Sequence, residues 1–179
     1  MTSEREVALN LVMRLLAGEQ GNLPMHLAML LEKSSLLQNS EEHYQKILPP
    51  ELARVRLTAD TAQEVTATLC AELSRNPRWP IIAALSTTGA REVTKAIVGL
   101  LLNPPRALET AEYDHAVGVL NTFLPISLEN DPTFLAKEEL EQLGGLLHQL
   151  ENLADPETGK GSRITIRRKA GELLKKLAQ

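Results

Sequence analysis

The sequence predicts an all-α fold, an irregular stack of antiparallel helical hairpins, on three observations. No segment sustains the apolar-polar alternation of a half-buried strand, and the nearest approach is confined to a few residues around Ile164. Apolar residues recur instead at helical spacing in segment after segment, each closed by Pro, Gly or Asn. The third observation is that only 3% of the 179 residues are aromatic, so Leu, Val, Ile and Ala must fill the interior, which suits packed helices better than a β-sandwich. A helical bundle without repeats is the alternative arrangement.

The first helix is expected from Ser3, where S-E-R-E lets the Ser3 hydroxyl and the Glu6 carboxylate satisfy exposed backbone N–H groups reciprocally. Val7, Ala8, Leu11, Val12 and Leu15 form its buried stripe, and Gly18 with Gly21 ends it. A second helix runs from about Pro24, with Leu27, Leu30, Leu31 and Leu37 inward. Asn39 then caps a short amphipathic turn, SEEHYQKIL, which Pro49-Pro50 stops. From Thr58 a further helix is expected, with Thr61 and Glu64 as a second capping box, Ala62, Val65, Leu69, Cys70 and Leu73 on one face, and Asn76-Pro77 at its end.

The stretch from Trp79 to Leu102 reads as the organising hairpin. Pro80 to Leu85 is apolar throughout, Ser86 to Gly89 supplies turn residues, and Val93, Ala96, Ile97, Leu100 and Leu101 lie on one helical stripe before Pro104-Pro105. A helix over about 106–124 follows, with Ala116, Val117, Leu120, Phe123 and Leu124 inward and Pro125 as terminator. After a loop, ISLENDP, a long helix from Thr133 to Leu153 carries Leu140, Leu143, Leu147 and Leu150 at near-heptad spacing, a face on which two copies of the chain can associate. Its Gly144-Gly145 pair costs up to ~1 kcal/mol per residue relative to Ala, which predicts a kink or a close helix contact. Residues 154–162 are expected to be a flexible loop, and a basic helix over 163–179 to pack on the helical domain formed by residues 1–153. Seven to nine helices result.

An internal echo supports stacking. Offset by 28 positions, AQEVTATLCAELSRNP from Ala62 aligns with AREVTKAIVGLLLNPP from Ala90 with six identities in sixteen. The last helix, with Ile166, Arg167, Ala170, Leu173, Leu174 and Leu177, resembles the second helix of a HEAT or armadillo-type repeat, in which a small Ala admits the preceding helix closely. The resemblance covers Thr58 to the C-terminus, lacks a clean period of about 40 residues and the regularly placed Pro and Asp of such repeats, and implies a binding scaffold rather than an enzyme.

Charge and composition restrict function further. Residues 1–159 carry 12 Lys and Arg against 22 Asp and Glu, whereas residues 160–179 carry seven basic residues against Glu172 alone. A basic tail on an acidic body marks an interaction surface or an intramolecular contact. Cys70 is the single cysteine, so no intramolecular disulfide forms and a reducing, cytoplasmic setting is expected. No apolar run approaches the roughly 18 to 20 residues of a membrane span, and the N-terminus does not read as a targeting signal.

Catalytic signatures are missing. His26, His43, His115 and His148 fall in different expected helices. Glu112-x-x-His115 has the spacing of a helical di-iron half-site, but the motif occurs once and such a site needs it twice, so the pair reads as solvated groups on one helix face. Glu112, Asp114 and His115 remain the best candidates if the chain is an enzyme. DPETGKGS, residues 155–162, contains Gly-Lys, but a P-loop requires Gly at position 154 and Ser or Thr at 161, where Ala and Gly stand. Cys70 lies on an apolar face, where thiols are usually inert.

The expectation is therefore a non-enzymatic, soluble adaptor or scaffold module without cofactor or metal, whose partner is another protein. Its candidate interaction residues are Arg163, Arg167, Arg168, Lys169, Lys175 and Lys176, with Trp79 as a second anchor beside a core role. The same cations, with Lys160, could contact the phosphates of a nucleic acid, although the acidic body and the scarcity of aromatics oppose it.

Overall fold

A computed structural model of the chain describes residues 3–34, 40–153 and 161–178, the side chains of 161–163 excepted, and every regular element among the described residues is a helix. The chain divides into two compact units, Met1–Gly89 and Ala90–Gln179. The boundary falls at Gly89, whose φ of 62° lies in the left-handed region that favours glycine.

In the first unit, α1 (Glu4–Leu16) begins with the expected Ser3–Glu6 capping box. It turns through Gly18, at φ 104°, and Gly21, at φ 58°, into α2 (Leu23–Lys33). Two short helices follow, α3 (Glu41–Ile47) and α4 (Pro50–Ala53). Ser40 caps α3, accepting from the His43 N–H, while the cap expected at Asn39 and the inward Leu37 lie outside the described residues. Pro50 does not simply stop the preceding turn: its fixed φ and missing N–H suit the first position of a helix, and it starts α4.

The unit is completed by α5 (Ala59–Arg75) and α6 (Trp79–Ala84). Thr58, rather than Thr61, caps α5 by accepting from the Thr61 N–H at 3.1 Å, because Thr61 is already inside the helix and buried. Glu64 is left for Arg5, which it binds through two hydrogen bonds of 2.7 and 3.0 Å.

Two hairpins result and they stack, α1 on α5 and α2 on α6. Arg5 and Glu64 join the first turn of α1 to the second turn of α5. At the other end Arg78, just after α5, donates to the Leu15 and Leu16 carbonyls of α1 at 3.1 Å each, so the two first helices run parallel. Leu11, Leu15, Leu27, Leu30, Leu69, Leu73, Ile81 and Ile82 form this unit's core. Each such side chain contributes about 1.5–3 kcal/mol on leaving water.

The second unit consists of α7 (Arg91–Leu102), α8 (Thr110–Asn130), α9 (Lys137–Glu151) and α10 (Gly161–Leu177). The hairpins are α7 with α8 and α9 with α10; α7 lies on α9, and α8 on α10. Arg91 and Lys95 at the start of α7 stack over Phe134, three residues before α9 opens, so α7 and α9 start at one end. Lys169 meets Asp114, and further along Lys176 meets Asn121, so α8 and α10 are parallel. Val93, Ile97, Val117, Leu120, Leu143, Leu147, Ile166, Ala170 and Leu173 make the core.

Several expectations are corrected here. The Trp79–Leu102 stretch contains both expected helices, but the unit boundary passes through its turn, and α6 and α7 each find packing partners in their own unit. The helix expected over 106–124 begins at Thr110 behind Glu109 and runs on to Asn130 with Pro125 inside it, so most of the expected loop ISLENDP is helical. Pro125 is tolerated because the carbonyl it cannot reach, that of Asn121, accepts from Lys176 Nζ at 3.1 Å. The next helix starts at Lys137, after a turn in which Asp131 accepts from Thr133. No close contact explains Gly144 and Gly145, since a Cβ at either would meet nothing within 4 Å among the described residues. Most of the expected flexible loop, residues 154–160, lies outside the described residues, and Gly161 and Ser162 already belong to α10.

Candidate functional site

The basic C-terminal helix is the first place to look, and much of its charge is already engaged. Lys169 Nζ is half-buried and sits 3.0 Å from Asp114 Oδ1, packed closely against Gly118. Lys176 Nζ donates to Asn121 Oδ1 at 2.8 Å as well as to the Asn121 carbonyl. Arg168 lies 3.9 Å from Glu172 one turn on, with both side chains exposed. Lys175 is exposed and borders a 540 Å3 groove between α9 and α10, with Leu140, Gly144, Leu174 and Leu177. Arg167 is half-buried, and the Arg163 side chain lies outside the described residues. Trp79, at the first position of α6, is half-buried.

The Glu112–His115 pair is not the solvated pair expected. Glu112 is 2% exposed and accepts from both Arg106 Nη atoms, at 2.8 and 2.9 Å, and from the Glu109 N–H at 2.9 Å. Burial raises its proton affinity, but the Arg106 hydrogen bonds and charge and the Glu109 N–H outweigh that and hold the carboxyl below its ordinary range. Here Glu112 is the third residue of α8 closing a capping box on Glu109, a signal E-x-x-E hides because the usual capping hydroxyl is missing. Burial pushes the His115 pKa down; Asp114 opposes this and Lys169 reinforces it. Glu112 is thus bound by Arg106, and Asp114 by Lys169. Among the described residues no three His, Cys, Asp or Glu side chains converge as metal ligands. No helix among them is long and apolar enough to cross a membrane.

A feature that sequence reasoning did not assemble lies in the first unit. A 750 Å3 groove opens between α1, the α1–α2 turn, the start of α2, and α4. Val7 and Leu11 from α1, Leu23 from α2 and Leu52 from α4 supply apolar walls. Glu6, Arg14, Glu19, His26 and Glu51 supply the charged and titratable groups. Arg14 and Glu19 are joined by two hydrogen bonds, of 2.6 and 2.5 Å. Burial, then the nearby Arg14 charge, lowers the His26 pKa against the pull of Glu51. The five charged or titratable groups come from positions 6 to 51; nothing in their spacing announces them, because the α1–α2 turn and the Pro50 turn bring them together.

No protein family, curated protein or solved structure matches this chain.

Proposed function

We propose that the chain is a non-enzymatic protein-binding module, an adaptor or scaffold of the cytoplasm, built as HEAT and armadillo proteins are from stacked α-hairpins. The observation that carries this reading is the packing inside each unit: first helix on first helix in parallel, second helix on second. A stack of this kind buries a continuous core while leaving long helix faces for a partner. The ends of α5 and α7 are alike, although they stand 27 positions apart and not the 28 of the sequence echo. Both α5 and α7 end at an Asn in nearly the same conformation, Asn76 at φ −142°, ψ 75° and Asn103 at φ −136°, ψ 64°, each followed by Pro.

The nucleic-acid reading through α10 is weaker. Among the described side chains, Lys169 and Lys176 are engaged with α8 and Arg168 lies beside Glu172, on a chain of net charge −4.

The test is isolation of the tagged chain from its native cell at native abundance, with and without nuclease. A polypeptide recovered in fixed stoichiometry that survives nuclease supports the module. A chain recovered alone, or one whose companions leave with the nucleic acid, contradicts it.

A further inference from the structure

We propose that the groove between α1, α2 and α4 is the docking site of the partner, and that it takes a Lys- or Arg-type side chain set beside an apolar neighbour on a partner polypeptide. This deepens the protein-binding reading and rests on it. At 750 Å3 the groove has the size of a ligand pocket, for which about 300–1,000 Å3 is usual. Its Val7, Leu11, Leu23 and Leu52 walls offer an apolar group a place out of water.

The charges set the sign of what binds. Glu6, Glu19 and Glu51 stand against the single guanidinium of Arg14, and that guanidinium is held by Glu19. The Glu6 carboxylate accepts from the Ser3 N–H at 3.0 Å. Glu51, exposed on the rim, has no ion pair with another described residue. Two negative charges are therefore in excess over an apolar floor. A phosphate or a carboxylate is repelled there, and a purely apolar group leaves the carboxylates unused; an amphipathic cation satisfies both. The half-buried His26 ring and the Asn10 and Asn22 amides add hydrogen-bonding groups that can fix the orientation of a peptide backbone.

The experiment is an amide-shift titration of the full-length 15N-labelled chain with acetyl-Leu-Lys-Leu-amide, against the same peptide with norleucine in place of lysine. Saturable shifts at Val7, Leu11, His26 and Leu52 are expected with the lysine peptide, weaker by about three- to tenfold with norleucine and in Glu51→Gln, and weaker still in Glu51→Lys. Glu51 is exposed, so both variants should keep the wild-type circular dichroism and melting temperature. Absence of saturable shifts at these amides overturns the proposal, as does equal binding of the two peptides or indifference to Glu51→Lys. Shifts there that track protein concentration without peptide would assign the groove to a second copy and overturn it too. If the titration fails while a nuclease-resistant partner is recovered from cells, the groove alone is wrong; if both fail, the module is.

Discussion

Lys176 Nζ donates at 3.1 Å to the carbonyl of Asn121, the acceptor that Pro125, four residues further along α8, has no N–H to reach. One helix thereby supplies the hydrogen bond missing from another, and the repair explains how a proline sits inside a 21-residue helix. Lys176→Met should lower stability by about 1 kcal/mol, since the contact is exposed. In a Pro125→Ala background the restored N–H serves Asn121, so the same substitution should cost less. A double-mutant cycle in urea measures that coupling, and additive effects would refute the repair.

Glu112 should be far more sensitive. Replacing it with Ala removes the acceptor of the Glu109 N–H and breaks the part-buried Arg106 pair, at a cost of about 1–3 kcal/mol, readable as a lower urea midpoint. Because its folded-state pKa is depressed, the stability it contributes is fully present above the unfolded value near 4.3 and is lost as pH falls through the folded value. The Glu112→Gln protein should lose less stability than wild type over that range.

Histidine titration should act at milder pH. His26 and His115 both have folded-state pKa values pushed below the unfolded value near 6.5, chiefly by burial. Above that value both states are neutral and nothing changes. As pH falls through it the unfolded chain takes up protons first, so stability declines until the folded values are reached. Denaturant melts at pH 7 and pH 5 should show this loss, reduced in His115→Leu.

Lys33 tests the connection between α4 and α5. It is 5% exposed, donates at 2.8 Å to the carbonyls of both Ala53 and Val55, and lies 5.6 Å from the Tyr44 ring centroid. Lys33→Met removes the donor from two carbonyls at once and should cost about 1–3 kcal/mol. Amide hydrogen exchange should accelerate over residues 53–57, and unchanged exchange there would show that the clasp is not what holds this segment.

The helices were legible wherever the signal is local. Ser3 with Glu6, Asn76 before Pro77, and the stripes around Leu69, Ile97 and Leu147 all lie where chain-local rules place them. Errors cluster where a distant residue intervenes. Local rules make Pro125 a terminator because the lysine that relieves it is 51 positions away, and make Glu112 solvated because Arg106 belongs to the preceding loop. Helix pairing is hidden for a related reason: apolar residues on both sides of Ser86–Gly89 predict two helices but do not say which neighbours each will choose. The groove was illegible because its charges converge only through the α1–α2 turn and the Pro50 turn.

The binding proposal depends on hairpins stacked in parallel, and spin-label distances in a Cys70→Ser background test that arrangement most directly. Labels at Ile126 of α8 and at Ala178, just past α10, should lie close together. A label at Ile164, near the start of α10, should be farther from Ile126 by roughly 15–20 Å, from the 1.5 Å rise per residue. The reverse order of distances would make α8 and α10 antiparallel and remove the stack on which the function is argued.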